Sequence, residues 1–412
     1  MKRKKLFYGW IVVIGCVLMM LTMWGLGNHP LSLYVVPVTA AYGFSRTSFS
    51  MIFSIINLCT AAGSMAYGFL SGKMGLKRLM LLGSALCVVS YVLYSSARVI
   101  AVFYLAAAIF GLALSMTTNN PLSQIVNNWF TTRRGAVLGL VYASSGLGGT
   151  ICDILVGRIL NRAGFRSSLW ITTAMIAVLL TVAMLILRES PDSMGLRPYG
   201  SDAPKKETGE APEKKTGLTL RQAVKTPNFW LLIALEVLWG LSIIPIAANI
   251  PAHLTDRGLD PLFISGTVMA VMFAVSAASK FGMGIICDKF GHTCMLLVIG
   301  VTSTAAAALL PAVSGRGSAV IMAVLMGIGY ACMTIPAPLL VSHIFGNRDY
   351  AAILGQVTAT LTFAGAVGMP VSNMIFDHSG SYAPAFIVQA ACFALAAVCG
   401  ILAVRIKIKK PE

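Results

Sequence analysis

The sequence predicts an all-α membrane protein in which twelve transmembrane helices form two pseudo-symmetric six-helix bundles. Three observations carry this expectation. Of the 412 residues, 57% are hydrophobic and only 11% charged, with a mean hydropathy of +0.81. A soluble domain carries roughly 25% charged residues, so this chain has too little polar surface to coat a globule in water, and a bilayer must solvate most of it. A bilayer core takes about 20 apolar residues per helix. Twelve such segments can be placed, at about residues 8–37, 47–71, 78–97, 100–127, 135–159, 167–187, 228–250, 263–287, 293–313, 317–342, 350–375 and 382–405. Finally, one constant shift along the chain maps Gly68 onto Gly284, Gly75 onto Gly291, Ala136 onto Ala352, Gly139 onto Gly355 and Gly149 onto Gly365, which marks an internal repeat.

Segment 1 follows Lys2-Arg3-Lys4-Lys5, a start that resembles a signal peptide. Its apolar run continues well past a signal core without a small-residue cleavage site, so it is expected to stay as the first span. Tyr8-Gly9-Trp10 opens it and His29 lies near its far end. Segment 2 ends in Gly68-Phe69-Leu70-Ser71-Gly72-Lys73-Met74-Gly75, and Leu76-Lys77-Arg78 leads into segment 3. Segment 4 contains Asn119 and Asn120 and runs into Trp129-Phe130-Thr131-Thr132-Arg133-Arg134-Gly135, where segment 5 begins; Asp153 lies in its apolar run. Segment 6 is followed by Pro191-Asp192-Ser193-Met194-Gly195-Leu196-Arg197-Pro198.

Residues 188–227, rich in Pro, Gly, Lys and Glu, have no apolar face long enough to bury and form a linker. The chain thus divides into an N-terminal bundle (1–187), the linker (188–227) and a C-terminal bundle (228–412). The last part of the linker, Thr219 to Trp230, is expected to lie on the membrane surface as a short amphipathic helix. Segment 7 carries Glu236 and segment 8 carries Lys280, followed by Gly284-Ile285-Ile286-Cys287-Asp288-Lys289-Phe290-Gly291-His292. Tyr330 lies in segment 10 and Gln356 in segment 11.

Loop charges orient the chain. With the N-terminus inside, seven of the 31 Lys and Arg fall outside (Arg46, Arg98, Arg158, Arg162, Arg166, Arg257 and Arg316), and Lys280 is intramembrane. The other 23 are cytoplasmic, as the positive-inside rule requires. Both termini are therefore expected in the cytoplasm, and the chain in the inner (plasma) membrane.

The net charge of +17 does not indicate nucleic-acid binding, because the cations sit at the ends of apolar runs rather than on a phosphate-binding face. Nine scattered cysteines read as small buried hydrophobes, and five histidines at helix ends or loops have no metal-ligand spacing. No Gly-x-Ser-x-Gly, His-Glu-x-x-His, phosphate loop or CxxC occurs. Neither an enzyme nor a bound cofactor is expected. A parallel six-plus-six repeat is the layout of an alternating-access transporter with its substrate at the repeat interface.

The stretches Gly68–Gly75 and Gly284–His292 resemble the GxxxDRxGR loop motif of the major facilitator superfamily. The second copy has its acid, Asp288, with Lys289; the first keeps Gly68, Lys73 and Gly75 but has Gly72 in place of the acid, which implies a weaker latch there. The Trp129–Gly139 stretch with Gly146-Leu147-Gly148-Gly149, the Tyr8-Gly9-Trp10 start and the Pro191–Pro198 stretch resemble the monocarboxylate transporter and oxalate-formate antiporter group. The resemblance spans the whole chain. In that group a cation of helix 8, usually Arg, binds the substrate carboxylate; Ser279-Lys280-Phe281-Gly282-Met283-Gly284 puts Lys280 in its place. Lysine is a point charge without the planar fork of Arg. Three departures stand out: Asn28 and Ser276 occupy the positions of the group's helix 1 lysine and helix 8 acid, and residues 350–375 hold no second cation. A dicarboxylate held between two cations is disfavoured.

The resemblance therefore implies a transporter of a small organic anion, a monocarboxylate, working as a monomer by proton symport or in exchange for another anion. A cation at a helix centre costs roughly 2.5–3.5 kcal/mol on insertion scales, which a bound anion would offset; a Lys280 that snorkels to the interface or pairs with an acid is the alternative. Glu236, Asp153 and His29 are the proton-coupling candidates. Against each stands a bland reading: a helix contact for Glu236, an outer-rim position beside Arg158 for Asp153, an incidental loop position for His29. Asn119, Asn120, Tyr330 and Gln356 are candidate hydrogen-bond donors to the anion, or equally bonds between helices. Two other functions fit the same composition. Efflux of a larger amphipathic compound would use the 21 Met and the aromatic residues as an adaptable lining. A transporter-like ligand sensor would be marked by a large soluble signalling extension.

Overall fold

The computed structural model describes residues 7–201 and 217–408, so the Lys2–Lys5 run and the Pro204–Lys215 part of the linker lie outside the described residues. The described residues are overwhelmingly helical, with only two isolated bridges and no strand among them. The chain divides into two compact units, Met1–Thr216 and Gly217–Glu412.

Among the described residues, ten helical stretches are long and apolar enough to cross a membrane. Two of them each join two helices at a glycine with left-handed backbone, Gly164 (φ 76°) and Gly291 (φ 83°), which gives the twelve-helix architecture. In the first unit these are α1 (Tyr8–Tyr42), α2 (Arg46–Met74), α3 (Leu76–Ser96), α4 (Ile100–Trp129), α5 (134–163) and α6 (165–186). The second holds α7 (Pro227–Asp256), α8 (261–290), α9 (292–312), α10 (Arg316–Met333, resuming as Pro336–Phe345), α11 (Tyr350–Ser379) and α12 (Ala383–Arg405). Their outward faces are apolar: Phe69, Ile151, Leu185, Val301 and Phe363 are each at least 60% exposed. In water such a surface would aggregate; in lipid it is solvated.

The internal repeat is visible in the backbone. Gly75 and Gly291 both leave the helix at positive φ (79° and 83°) where α2 turns into α3 and α8 into α9. Only glycine adopts that conformation without strain. A Cβ on Gly111 would lie 2.5 Å from the Ile56 carbonyl oxygen, and one on Gly327, its repeat equivalent, 2.6 Å from that of Met272; Ile56 and Met272 are related by the same shift. The α2–α4 and α8–α10 crossings thus share one design, backbone against backbone, as small residues allow in lipid. Helices α4 and α10 also break at equivalent residues, Thr118 (φ −107°, ψ −114°) and Thr334 (φ −138°, ψ −32°). Pro121 and Pro336 follow them, and proline cannot supply the N–H that would carry the helix through.

Two expectations need correction. The surface helix over Thr219–Trp230 is not formed. Thr219 and Gln222 build a capping box around a single turn, Leu220–Ala223, and Thr226 then caps α7 at Pro227. Two start signals so close together cut the amphipathic run in two, and Leu218 and Ala223 are buried rather than laid on a surface. Segments 4 and 10, read as continuous helices, are instead interrupted at Thr118 and Thr334.

Candidate functional site

Lys and Arg gather at the end of each unit that carries the α2–α3 and α4–α5 turns, or the α8–α9 and α10–α11 turns; this is the basic end. In the second unit Glu236 lies nine residues into α7, roughly 14 Å along its axis from the basic end at 1.5 Å per residue. Lys280 lies eleven residues before Gly291 on α8, at a similar depth of roughly 16 Å. Both are buried, at 1% and 8% exposure. The interruption of α10 brings a 3₁₀ turn, Tyr330–Met333, against α7 and α8. Cys332 in that turn is 1% exposed and within electrostatic reach of both Glu236 and Lys280. Tyr330 lies in the same turn, electrostatically close to Cys332, with its ring edge-on to Phe273 of α8 at 6.1 Å. Glu236 Oε1 and Thr334 Oγ1 are buried without a hydrogen-bond partner among the described residues. The arrangement is a cation and an acid, residues of different helices, gathered at a broken one, with polar valences left over. Gln356 is half-buried on α11, six residues from its start and so nearer the basic end than Glu236.

In the first unit Asn119 and Asn120 directly follow the α4 break. Asn120 is buried, and Asn119 Oδ1 has no hydrogen-bond partner among the described residues. The Asn119 carbonyl accepts the Tyr142 hydroxyl at 3.0 Å. Helix α1 loses its α-helical register over Leu21–Asn28 and continues as a 3₁₀ turn, His29–Tyr34, where Pro30 removes a donor. Gly149 of α5 packs on the His29 ring, so that a Cβ there would lie 2.8 Å from Cδ2. Gly157 faces Leu33. Asp153, between these two glycines at spacings of four, lies on the same face of α5. Its Oδ1 is buried without a hydrogen-bond partner among the described residues. The outer-rim pairing with Arg158 is not found. Asp153 is half-buried while Arg158 is exposed, and a five-residue offset turns the two about 140° apart around the helix.

The motif residues have mostly architectural surroundings. Trp10 packs on Phe130 and Tyr199 at 5.4 and 5.9 Å, and Tyr8 on Trp129 at 5.8 Å. Trp129 Nε1 donates to the Arg188 carbonyl at 2.9 Å and the Tyr8 hydroxyl to that of Ile186 at 3.2 Å. The start of α1 and the ends of α4 and α6 are thereby tied together. Gly68, Lys73 and Gly75 end α2, with Lys73 Nζ 4.3 Å over the Phe69 ring. Gly284 is buried in α8, while Asp288 and Lys289 are exposed just before Gly291. The acid missing at Gly72 has a neighbour in its place: Glu189, after α6, accepts the backbone N–H of Lys77 in the first turn of α3. An anion there complements the helix dipole.

Sequence reasoning passed over Cys332, grouping it with the buried cysteines, and Glu189, which no local motif marks. Pro336 and Pro338 were the available signal for the α10 break beside Cys332.

The sequence profile of the Major Facilitator Superfamily matches residues 12–355. Monocarboxylate transporter 13 of Rattus norvegicus is 25% identical over 391 residues, covering 93% of this chain and 86% of that protein. The agnestins efflux protein AgnL12 of Paecilomyces divaricatus is 24% identical over 342 residues, covering 82% and 73%. The crystal structure of a variant of the E. coli fucose:proton symporter FucP matches with a TM-score of 0.73 at 13% identity, covering 96% of this chain and all of that one; at that identity the likeness is one of fold.

Proposed function

The chain belongs to the Major Facilitator Superfamily, and from that premise we propose that it carries a small organic anion, a monocarboxylate, with Lys280 as the anion's anchor and Glu236 as the group that couples transport to protons. It is a multi-pass membrane transporter and not an enzyme. The basic end is taken as cytoplasmic, in keeping with the positive-inside rule, in a plasma (inner) membrane.

The observation that carries the reading is that Lys280 and Glu236 are buried at similar depth on α8 and α7, the two helices against which the broken turn of α10 packs. Interrupted transmembrane helices expose backbone groups that bind substrate near mid-membrane. Lys280 supplies the charge that selects an anion; Tyr330, in the broken α10 turn with Cys332, is a candidate hydroxyl donor. Glu236 is buried in an apolar helix where an uncompensated carboxylate is expensive and a proton removes the cost. A proton taken up there in one facing state and released in the other drives symport. Asn119, Asn120 and Gln356 are further donors in this reading, and Asp153 and His29 are held in reserve as proton carriers. The coverage of monocarboxylate transporter 13, 93% of this chain at 25% identity, supports the substrate class.

The experiment is equilibrium binding of a panel of labelled carboxylates to purified wild-type and Lys280→Ala protein. Saturable binding by the first and its loss in the second is the expected result; equal binding sinks the assignment. A second reading, efflux of a larger amphipathic compound, is favoured by the likeness to the agnestins efflux protein, and binding of a bulky neutral compound that ignores Lys280 would select it.

A further inference from the structure

We propose that the stacked pair His292–His343 is a proton-operated clasp at the basic end of the second unit, closed while it holds at most one proton and opened by the second. The two imidazoles lie with centroids 4.1 Å apart and planes 26° from parallel. They come from different elements. His292 is the first residue after the left-handed Gly291 and so begins α9; His343 lies in the last turn of α10.

The repeat shows what packing alone would require. At the equivalent positions of the first unit stand Leu76 and Asn127, both buried. A residue pair that does not titrate fills that place, whereas the second unit puts there two imidazoles, side chains whose charge depends on pH. His292 also stands where the GxxxDRxGR motif has a fixed cation, so a permanent charge has become a conditional one.

The electrostatics order the two protons. The C-terminal end of α10 favours a cation on His343, and the N-terminal end of α9 opposes one on His292. The first proton goes to His343, whose cationic ring stacks on the neutral partner. A second proton puts like charges face to face at 4.1 Å, and the stack separates. Other titratable or charged groups on the elements packed around the pair are Asp288 and Lys289 of α8, Cys294 of α9, Arg348, Asp349 and Tyr350 at the start of α11, and Arg405 at the end of α12. Asp349 Oδ2 is engaged by the Leu220 N–H at 3.0 Å and the Tyr350 hydroxyl by the Pro338 carbonyl at 3.3 Å. The α10 end is anchored independently, because the Phe345 carbonyl accepts the Leu218 N–H at 2.9 Å. Opening the clasp therefore removes the ring contact that ties the start of α9, beside the turn carrying Asp288 and Lys289, to the end of α10. Acidification at this end of the unit would loosen the gate motif, independently of what the transporter carries.

The test is a pH titration of the full chain in detergent micelles by NMR, with histidine rings carbon-13 labelled and the five signals assigned through His292→Leu and His343→Asn, which install the first unit's residues. The expected result is a pair of coupled midpoints more than about one pH unit apart, with a mutual ring-current shift that vanishes in step with the second proton. Either substitution should replace the two coupled midpoints by a single titration of the remaining histidine. Should His292→Leu fail to fold, His343→Asn, at an exposed position, gives the same reading for His292. Midpoints that ignore removal of the partner, or a ring-current shift that survives both protonations, would overturn the proposal.

Discussion

Lys280 and Glu236 were legible one residue at a time, because a charge inside an apolar run is conspicuous wherever it falls. Their relation was not. Positions 236, 280 and 332 are too far apart in sequence for spacing to say that one thiol stands within reach of both charges. Two outcomes follow from the relation. Lys280→Ala should weaken binding of a monocarboxylate by roughly tenfold or more, since a hydrogen bond to a charged group contributes about 1.5–3 kcal/mol and about 1.4 kcal/mol is tenfold. Lys280→Arg should keep part of the affinity, because the charge remains while its shape and reach change. Isothermal titration of both variants against one carboxylate checks this. Glu236→Gln mimics the protonated acid, so counterflow exchange should continue while acceleration by an inward proton gradient disappears. If the gradient still accelerates uptake by the variant, another group carries the proton, and Asp153, half-buried on α5 with a buried oxygen lacking a partner among the described residues, is the next to substitute.

At the scale of elements, helix existence came from apolar length, but helix interruption depends on how residues pack and on where backbone donors are missing. Thr118 and Thr334 lie in apolar runs that a hydropathy window reads as continuous, and only Pro121, Pro336 and Pro338 hint at the breaks. The linker helix failed for the opposite reason, an amphipathic pattern overridden by two consecutive caps. Close crossings offer a sharp check. Gly111→Leu or Gly327→Leu would drive a side chain into the backbone of the facing helix, where a Cβ alone would lie 2.5 or 2.6 Å from a carbonyl oxygen. Each should destabilise its unit by about 1–3 kcal/mol or more, read as a lower melting temperature in detergent, with the two substitutions alike because the crossings are repeats of each other. Glu189→Gln removes the anion at the first turn of α3, which contributes about 0.3–1 kcal/mol at a helix N-terminus. A small drop in melting temperature is expected, and Gly72→Asp, placed where a Cβ meets no atom within 4 Å, should recover part of it by returning an acid to the α2–α3 turn. A Glu189→Gln protein as stable as wild type would show that the contact with Lys77 contributes nothing.

For the whole molecule, composition and loop charge were enough to read a polytopic membrane protein, and the constant shift between matching glycines was enough to read its repeat. The structure extends that shift from glycines in sequence to matching left-handed turns, matching helix breaks and matching backbone contacts. The repeat fails at the proposed site: Lys280, Glu236 and Cys332 have Ser64, Met20 and Met116 as their counterparts in the first unit, so the proposed charged site belongs to the second unit. The most direct test of that claim is uptake of labelled monocarboxylates into proteoliposomes by wild-type and Lys280→Ala protein, with and without an inward proton gradient. The account predicts saturable uptake by the wild type, accelerated by the gradient, and uptake by Lys280→Ala no faster than by empty liposomes. Normal carboxylate uptake by a folded Lys280→Ala protein would contradict it.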